Sequence, residues 1–160
     1  MIDRLVRQLG EVLIEQNRMM CTAESCTGGG IANAITDQAG SSAWFDRAYV
    51  TYSNQAKVSM LGVDPLTLDE FGAVSEQVAR QMVLGALRES AADMAVSVTG
   101  VAGPGGGTAE KPVGMVCFGW ANSKAVHTST EQFGGDRAAV RSASIEFALS
   151  RLLELAKAGV

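Results

Sequence analysis

Ser25 stands in the run Ala23-Glu24-Ser25-Cys26-Thr27-Gly28-Gly29, where a short apolar stretch meets three consecutive glycines. A serine at a strand-to-helix turn is exposed at a sheet edge, and the amides of a helix start can bind an anion. Nucleophilic attack is the chemistry this placement permits. Ser25 and Thr27 can equally serve only as helix caps. A serine nucleophile needs a base, and the sole histidine, His127, falls in an alternating strand-like segment. There it can as easily pack or face solvent, so a Ser-His-Asp triad has little support. Lysine can replace histidine when desolvation or a nearby cation lowers its pKa from about 10.4. Lys57, in Tyr52-Ser53-Asn54-Gln55-Ala56-Lys57, is the candidate. It sits near the start of an expected helix, whose positive end disfavours an ammonium. Alternatively Lys57 is a solvated surface residue, and Tyr52 and Ser53 pack and cap rather than orient a site. Cys26, beside Ser25, is a rival nucleophile, since a thiolate outperforms a hydroxyl once its pKa is lowered.

Two further segments offer ligand contacts. Five of the eight residues from Gly100 to Gly107 are glycine, flanked by Thr99 and Thr108. Such a backbone, including Gly100 and Gly103, can approach a ligand closely or form an anion nest; the alternative is a flexible surface loop. Arg137 and Arg141 lie one helical turn apart after Gly134-Gly135-Asp136. They can grip a phosphate or carboxylate, or form surface ion pairs. The glycines match neither a GxGxxG nor a GxxxxGK[ST] fingerprint, so no dinucleotide or nucleoside triphosphate site is indicated.

Periodicity supplies the elements that would position these groups. Leu5, Val6, Leu9, Val12 and Leu13 predict an amphipathic helix over about 3–16. Met19 to Ala23 reads as a strand, and Ile31, Ala32, Ala34 and Ile35 as a helix that the glycines introduce. Ala48 to Tyr52 reads as a second strand, followed by a helix carrying Lys57 that Gly62 and Pro65 break. Ser75 caps a helix to about Glu89, and Met94 to Val98 is a buried strand. Val113 to Ala121 and Ala125 to Phe133 form a hairpin about Asn122-Ser123-Lys124, and Asp136 caps a last helix to about Lys157. The order αβαβααβββα fits a single-domain, three-layer α/β/α sandwich with a mixed sheet, spanning 1–160.

Composition narrows the function. The 160 residues are 47% hydrophobic and 19% charged, and one domain of this size holds a core without disulfides or structural metal. The 13 basic and 17 acidic residues give a net charge of −4. The bases are scattered, which argues against nucleic acid as a main partner. No apolar run reaches the roughly 18–20 residues of a spanning helix, and Met1 to Gly10 is not a signal peptide. Three cysteines without metal-ligand spacing fit reduced thiols and a cytoplasmic setting.

Taken in order, five segments resemble the CinA C-terminal domain family. They are Ala23–Gly29, Val50-Thr51-Tyr52-Ser53-Asn54 with Lys57, Gly72-Ala73-Val74-Ser75, Thr99–Pro104 with Lys111-Pro112-Val113-Gly114, and Gly135-Asp136-Arg137. They cover essentially the whole chain. The resemblance implies a stand-alone amidohydrolase that acts on the carboxamide of nicotinamide mononucleotide (NMN) through a Ser-Lys pair, without metal or other cofactor. Carried over, Ser25 is the nucleophile, Lys57 its general base and Tyr52 an orienting or relay group. Glu24, Cys26, Thr27, Gly28, Thr99, Gly100, Gly103, Thr108 and Arg137 are the expected substrate contacts. The cationic ring would stack on an aromatic or pair with Glu24, amides from Cys26 to Gly28 would meet the oxyanion, and the glycine loop and Arg137 the phosphate. Self-association is expected, whereas the extra N-terminal domain of two-domain members is not. The alternative is a non-catalytic pyridine-nucleotide-binding module linked to competence or DNA damage.

Overall fold

The computed structural model describes residues 1–159. Helices α1 (Ile2–Glu15), α2 (Gly30–Thr36), α3 (Asn54–Leu61), α4 (Pro65–Phe71), α5 (Glu76–Arg88) and α6 (Arg137–Lys157) alternate with strands β1 (Met20–Glu24), β2 (Phe45–Val50), β3 (Met94–Gly100), β4 (Met115–Asn122) and β5 (Val126–Gln132). The strands form one sheet in the order β2-β1-β3-β4-β5. β1 runs parallel to β2 and β3, whereas β4 and β5 are antiparallel additions. The expected mixed sheet with helices on both faces is the observed one.

Alternation along the strands separates two unequal cores. Met20, Val96, Val98, Phe118 and Trp120 point to one face, where α1, α2 and α6 pack. Cys21, Ala23, Ala95 and Ala121 point to the other, under α3, α4 and α5. The small residues of that second face let α5 approach closely. Ser97 Oγ donates to Ala79 O at 2.6 Å. A Cβ on Gly119 would lie 2.8 Å from the same carbonyl.

Local chemistry places the helix starts. Ser53, Ser75 and Asp136 are the N-caps of α3, α5 and α6, accepting from Ala56, Val78 and Ala139 amides. Three expectations need correction. The break expected at Pro65 is a helix start: Asp64 caps α4 and Pro65 occupies its first turn, where no amide donor is needed. β2 covers Phe45–Val50 rather than 48–52, because its partner β1 ends with Glu24 opposite Val50. Thr51 and Tyr52 therefore leave the sheet as a loop, once the Thr51 amide has donated to Glu24 O at 2.8 Å. β4 starts at Met115 rather than Val113, because Pro112 to Met115 is a turn closed by the Met115 amide on Pro112 O.

The crossover through α2 lies on one face and that through α3–α5 on the other. The carboxyl ends of β2, β1 and β3 thus open a crevice between diverging chain connections, the usual place for a ligand in an open α/β sheet. Among the described residues, no helix is long and apolar enough to cross a membrane.

Candidate active site

Ser25 follows the last residue of β1, and its amide continues the sheet by donating to Val98 O at 3.0 Å. The chain then turns sharply: the Gly28 amide donates to Ser25 O at 3.0 Å, and Gly28 and Gly29 adopt φ of +57° and +94°. Those values favour residues without a Cβ. The turn brings the start of α2 back over the strand end.

Glu24 fastens this turn. Its carboxylate is fully buried and accepts from Thr27 Oγ1 (2.6 Å), Ile31 N (2.9 Å), Ala32 N (3.0 Å) and Thr22 Oγ1 (3.1 Å). Four donors occupy the carboxylate, so it has no free face for a cationic ring. Nor do Ser25 and Thr27 cap α2; the Glu24 carboxylate performs that task from the preceding strand. It also consumes two amides of the helix start, so the first turn of α2 does not offer an open anion site.

Lys57 is delivered by α3 from the second face. It is 1% exposed. Its Nζ lies 2.9 Å from Ser25 Oγ, 2.9 Å from Thr51 O and 3.3 Å from Tyr52 O. Burial lowers its pKa from the ordinary 10.5. None of the ion pairs among the described residues involves Lys57. A buried ammonium without a carboxylate favours release of its proton. The neutral amine has two N–H groups and one lone pair. The two carbonyls can take the N–H groups, leaving the lone pair toward the Ser25 hydroxyl.

Cys26 is 6% exposed, and burial pushes its thiol up to about 11. It remains protonated at neutral pH and is a poor nucleophile there. His127 is on β5, separated from β1 by two strands, and does not reach Ser25.

Ser25, Cys26, Tyr52, Lys57, Thr99, Gly100 and Arg137 line one cleft of about 260 Å³. Asn54, Ala73, Val74 and Ala102 complete its wall; none is singled out in the sequence as a substrate contact, although each lies in one of the motif segments. Thr99 Oγ1 donates to Ala73 O at 2.9 Å, tying the strand end to the segment before α5. Arg137 bridges the rim, donating to Gly103 O at 2.7 Å and to Tyr52 Oη at 3.2 Å. A second cavity of about 650 Å³ shares Ala102 and Arg137 with the first and extends to Pro104, Gly135 and Arg141.

Five expected contacts are placed elsewhere; one of them, Gly103, lines neither cavity and gives its carbonyl to Arg137. Glu24 and Thr27 are fully buried beneath the turn. The Gly28 amide is committed to Ser25 O; of the three amides expected at the oxyanion, that of Cys26 is the one on the cleft wall, and it makes no hydrogen bond to another residue. Thr108 is exposed and closes its own loop, with its hydroxyl accepting from Lys111 N. Gly100 lines the cleft, but its missing side chain also answers to packing: a Cβ there would lie 2.7 Å from Val116 Cγ2.

A separate cleft of about 380 Å³ lies at the amino ends of β1 and β3, lined by Arg18, Asp93 and Lys124. It contains no nucleophile paired with a base. Among the described residues, no three His, Cys, Asp or Glu side chains gather to hold a metal ion.

The chain is similar to known proteins over nearly its whole length. The chain is 56% identical over 153 residues to the nicotinamide-nucleotide amidohydrolase PncC of Enterobacter agglomerans, covering 95% of this chain and 93% of that one. It is 51% identical over 150 residues to the protein of that name from Escherichia coli K12, covering 93% and 91%. The crystal structure of the competence/damage inducible protein CihA from Agrobacterium tumefaciens superposes with a TM-score of 0.95 at 49% identity, covering 96% and 94%. Residues 2–156 match the CinA C-terminal domain. The chain belongs to the CinA C-terminal domain family.

Proposed function

We propose that this protein is a nicotinamide-nucleotide amidohydrolase, converting NMN and water to nicotinic acid mononucleotide and ammonia. The observation that carries this reading is the buried Lys57 amine 2.9 Å from Ser25 Oγ, in a chain 56% identical to a protein named for that activity.

Neutral Lys57 takes the Ser25 proton as Oγ attacks the carboxamide carbon. The resulting ammonium is held by Thr51 O and Tyr52 O, so charge appears where acceptors already stand. The Cys26 amide, immediately after the nucleophile, is the donor available to the oxyanion. Lys57 then gives that proton to the carboxamide nitrogen as the C–N bond breaks, ammonia leaves, and the acyl group stays on Ser25 Oγ. Water enters, Lys57 removes its proton, the ester bond breaks, and Ser25 recovers its hydrogen. The pyridine ring occupies the smaller cleft, and the ribose phosphate extends past Arg137 toward the larger cavity. Arg137 is exposed there and supplies cationic donors to the phosphate.

The test is ammonia and nicotinic acid mononucleotide release from NMN, with chelator present, for wild type, Ser25→Ala, Lys57→Ala and Cys26→Ala. Activity in wild type and Cys26→Ala, lost in the other two while they stay folded, supports the Ser-Lys amidase. Folded wild type that binds NMN and releases nothing overturns it in favour of a binding module. Loss in Cys26→Ala with survival of Ser25→Ala would make the thiol the nucleophile.

A further inference from the structure

Among the described residues, Arg141 is the one cationic side chain that hydrogen-bonds the backbone of the nucleophile turn. It lies on α6, half-buried, one turn beyond Arg137. Its Nε donates to Cys26 O at 3.2 Å and its Nη2 to Thr27 O at 3.0 Å. Both carbonyls belong to the turn from Ser25 to Gly28. No ion pair involves Arg141 among the described residues. A residue expected from its spacing to grip an anion thus spends two of its donors on peptide oxygens more than a hundred positions away in sequence.

A four-residue turn is least secure at its central peptide unit, which two common turn types present in opposite orientations. Here that unit joins Cys26 to Thr27. Because the peptide is planar and trans, fixing Cys26 O fixes the Thr27 amide on the opposite side. The next carbonyl, Thr27 O, is held by the same guanidinium. The planar fork of arginine suits this paired grip, which a lysine ammonium cannot reproduce. Gly28 packs beside the guanidinium, where a Cβ would make only an ordinary contact at 3.6 Å from Arg141 Nη2. Glu24 secures the turn through the Thr27 hydroxyl, and Arg141 secures it through the carbonyls. The Ser25 hydroxyl and the Cys26 amide immediately precede the groups held in this way.

We infer that Arg141 is a positioning residue for the reaction. By holding the carbonyls of Cys26 and Thr27 it keeps the Ser25 hydroxyl and the Cys26 amide aligned on the same carbonyl group of the substrate. It acts through the backbone and does not serve as the phosphate ligand. The inference rests on Ser25 being the nucleophile proposed above.

The experiment compares wild type with Arg141→Ala and Arg141→Lys, each checked for a cooperative melt. The readouts are kcat and KM for NMN, the Kd of NMN in a Ser25→Ala background, and the rate at which a fluorophosphonate probe labels Ser25. Arg141→Ala should lower kcat and slow labelling together, by about ten- to hundredfold. KM and Kd should stay within about threefold of wild type, because ground-state binding is untouched. Added guanidinium ion should restore part of the kcat of Arg141→Ala, and Arg141→Lys should fall between that variant and wild type. A Kd raised by about tenfold or more with labelling unchanged would make Arg141 an anion ligand and overturn the inference. Unchanged kcat and labelling would overturn it as well. If Ser25 is labelled, and more slowly in both variants, while wild type leaves NMN intact, the substrate assignment fails and the positioning role stands. Wild type that is neither labelled nor active on NMN overturns both.

Discussion

Lys57 Nζ and Ser25 Oγ stand 2.9 Å apart, although 32 positions separate the residues and they arrive from different elements. Ser25 comes from the carboxyl end of β1 and Lys57 from the first turn of α3. The contact exists because β2 lies beside β1, so the loop after β2 drops α3 across the end of the neighbouring strand. Burial then changes the lysine from a permanent cation into a group that can exchange a proton.

Lys57→Arg should be inactive despite keeping the charge. An arginine cannot act as a neutral base at accessible pH, so kcat should fall by about 10²–10⁴. Steady-state ammonia release checks this. Activity near that of wild type would remove Lys57 from the proton transfers.

The pH profile should follow the amine. Burial lowers the Lys57 pKa below 10.5, and only the neutral amine accepts the Ser25 proton. kcat/KM should therefore rise with pH through one ionisation whose midpoint lies below 10.5. Stability has the same sign. Between the folded and unfolded pKa values the unfolded chain holds the extra proton, so this group's contribution to stability rises with pH across that window. Below the folded pKa, folding buries the ammonium and that gain is absent. Melting temperatures against pH for wild type and Lys57→Met should differ in slope only there.

Cys26 should resist alkylation at neutral pH. Its thiol pKa is pushed up to about 11 by burial, so little thiolate exists to react. Iodoacetamide labelling followed by intact mass should find Cys26 slower than a free thiol, and Cys26→Ala should retain activity within several-fold. Fast, activity-destroying alkylation at that residue would contradict both the burial and its cause.

Glu24→Gln should cost about 1–3 kcal/mol of stability and lower kcat. The amide nitrogen would face hydroxyl or backbone donors where a carboxylate oxygen now accepts. Denaturant melts and kcat, measured on the same preparation, check the two effects together. Full stability with weakened NMN binding would instead return Glu24 to the substrate.

Gly85→Ala tests the approach of α5 to α3. A Cβ at Gly85 would fall on the Leu61 carbonyl oxygen at the end of α3. Overpacking of this kind costs about 1–3 kcal/mol, and relief requires α3 to shift, carrying Lys57 with it. A lower melting temperature accompanied by a lower kcat is expected. An unaffected kcat would mean that the lysine tolerates displacement of its helix.

The sequence by itself determined most of the local architecture. Apolar spacing in α1, near-continuous apolar residues in β3, and the caps Ser53, Ser75 and Asp136 act within a few residues, so they are readable without a fold. The same holds for Ser25 at a strand-to-helix turn. The short helix α4 escaped because proline ends helices and also begins them, and only the neighbouring chain decides which. Tertiary structure decided what the polar side chains do. Glu24 looked available to a ligand until four donors converged on it. Arg141 looked like a twin of Arg137 until α6 packed against the sheet and set one guanidinium on the nucleophile turn and the other on the cleft rim. Lys57 was already the candidate base in the sequence, but only sheet order set it against Ser25, buried and without a counter-charge. Helix caps and turns are written in neighbours along the chain; protonation states and partners depend on what the fold brings close and how much water it removes.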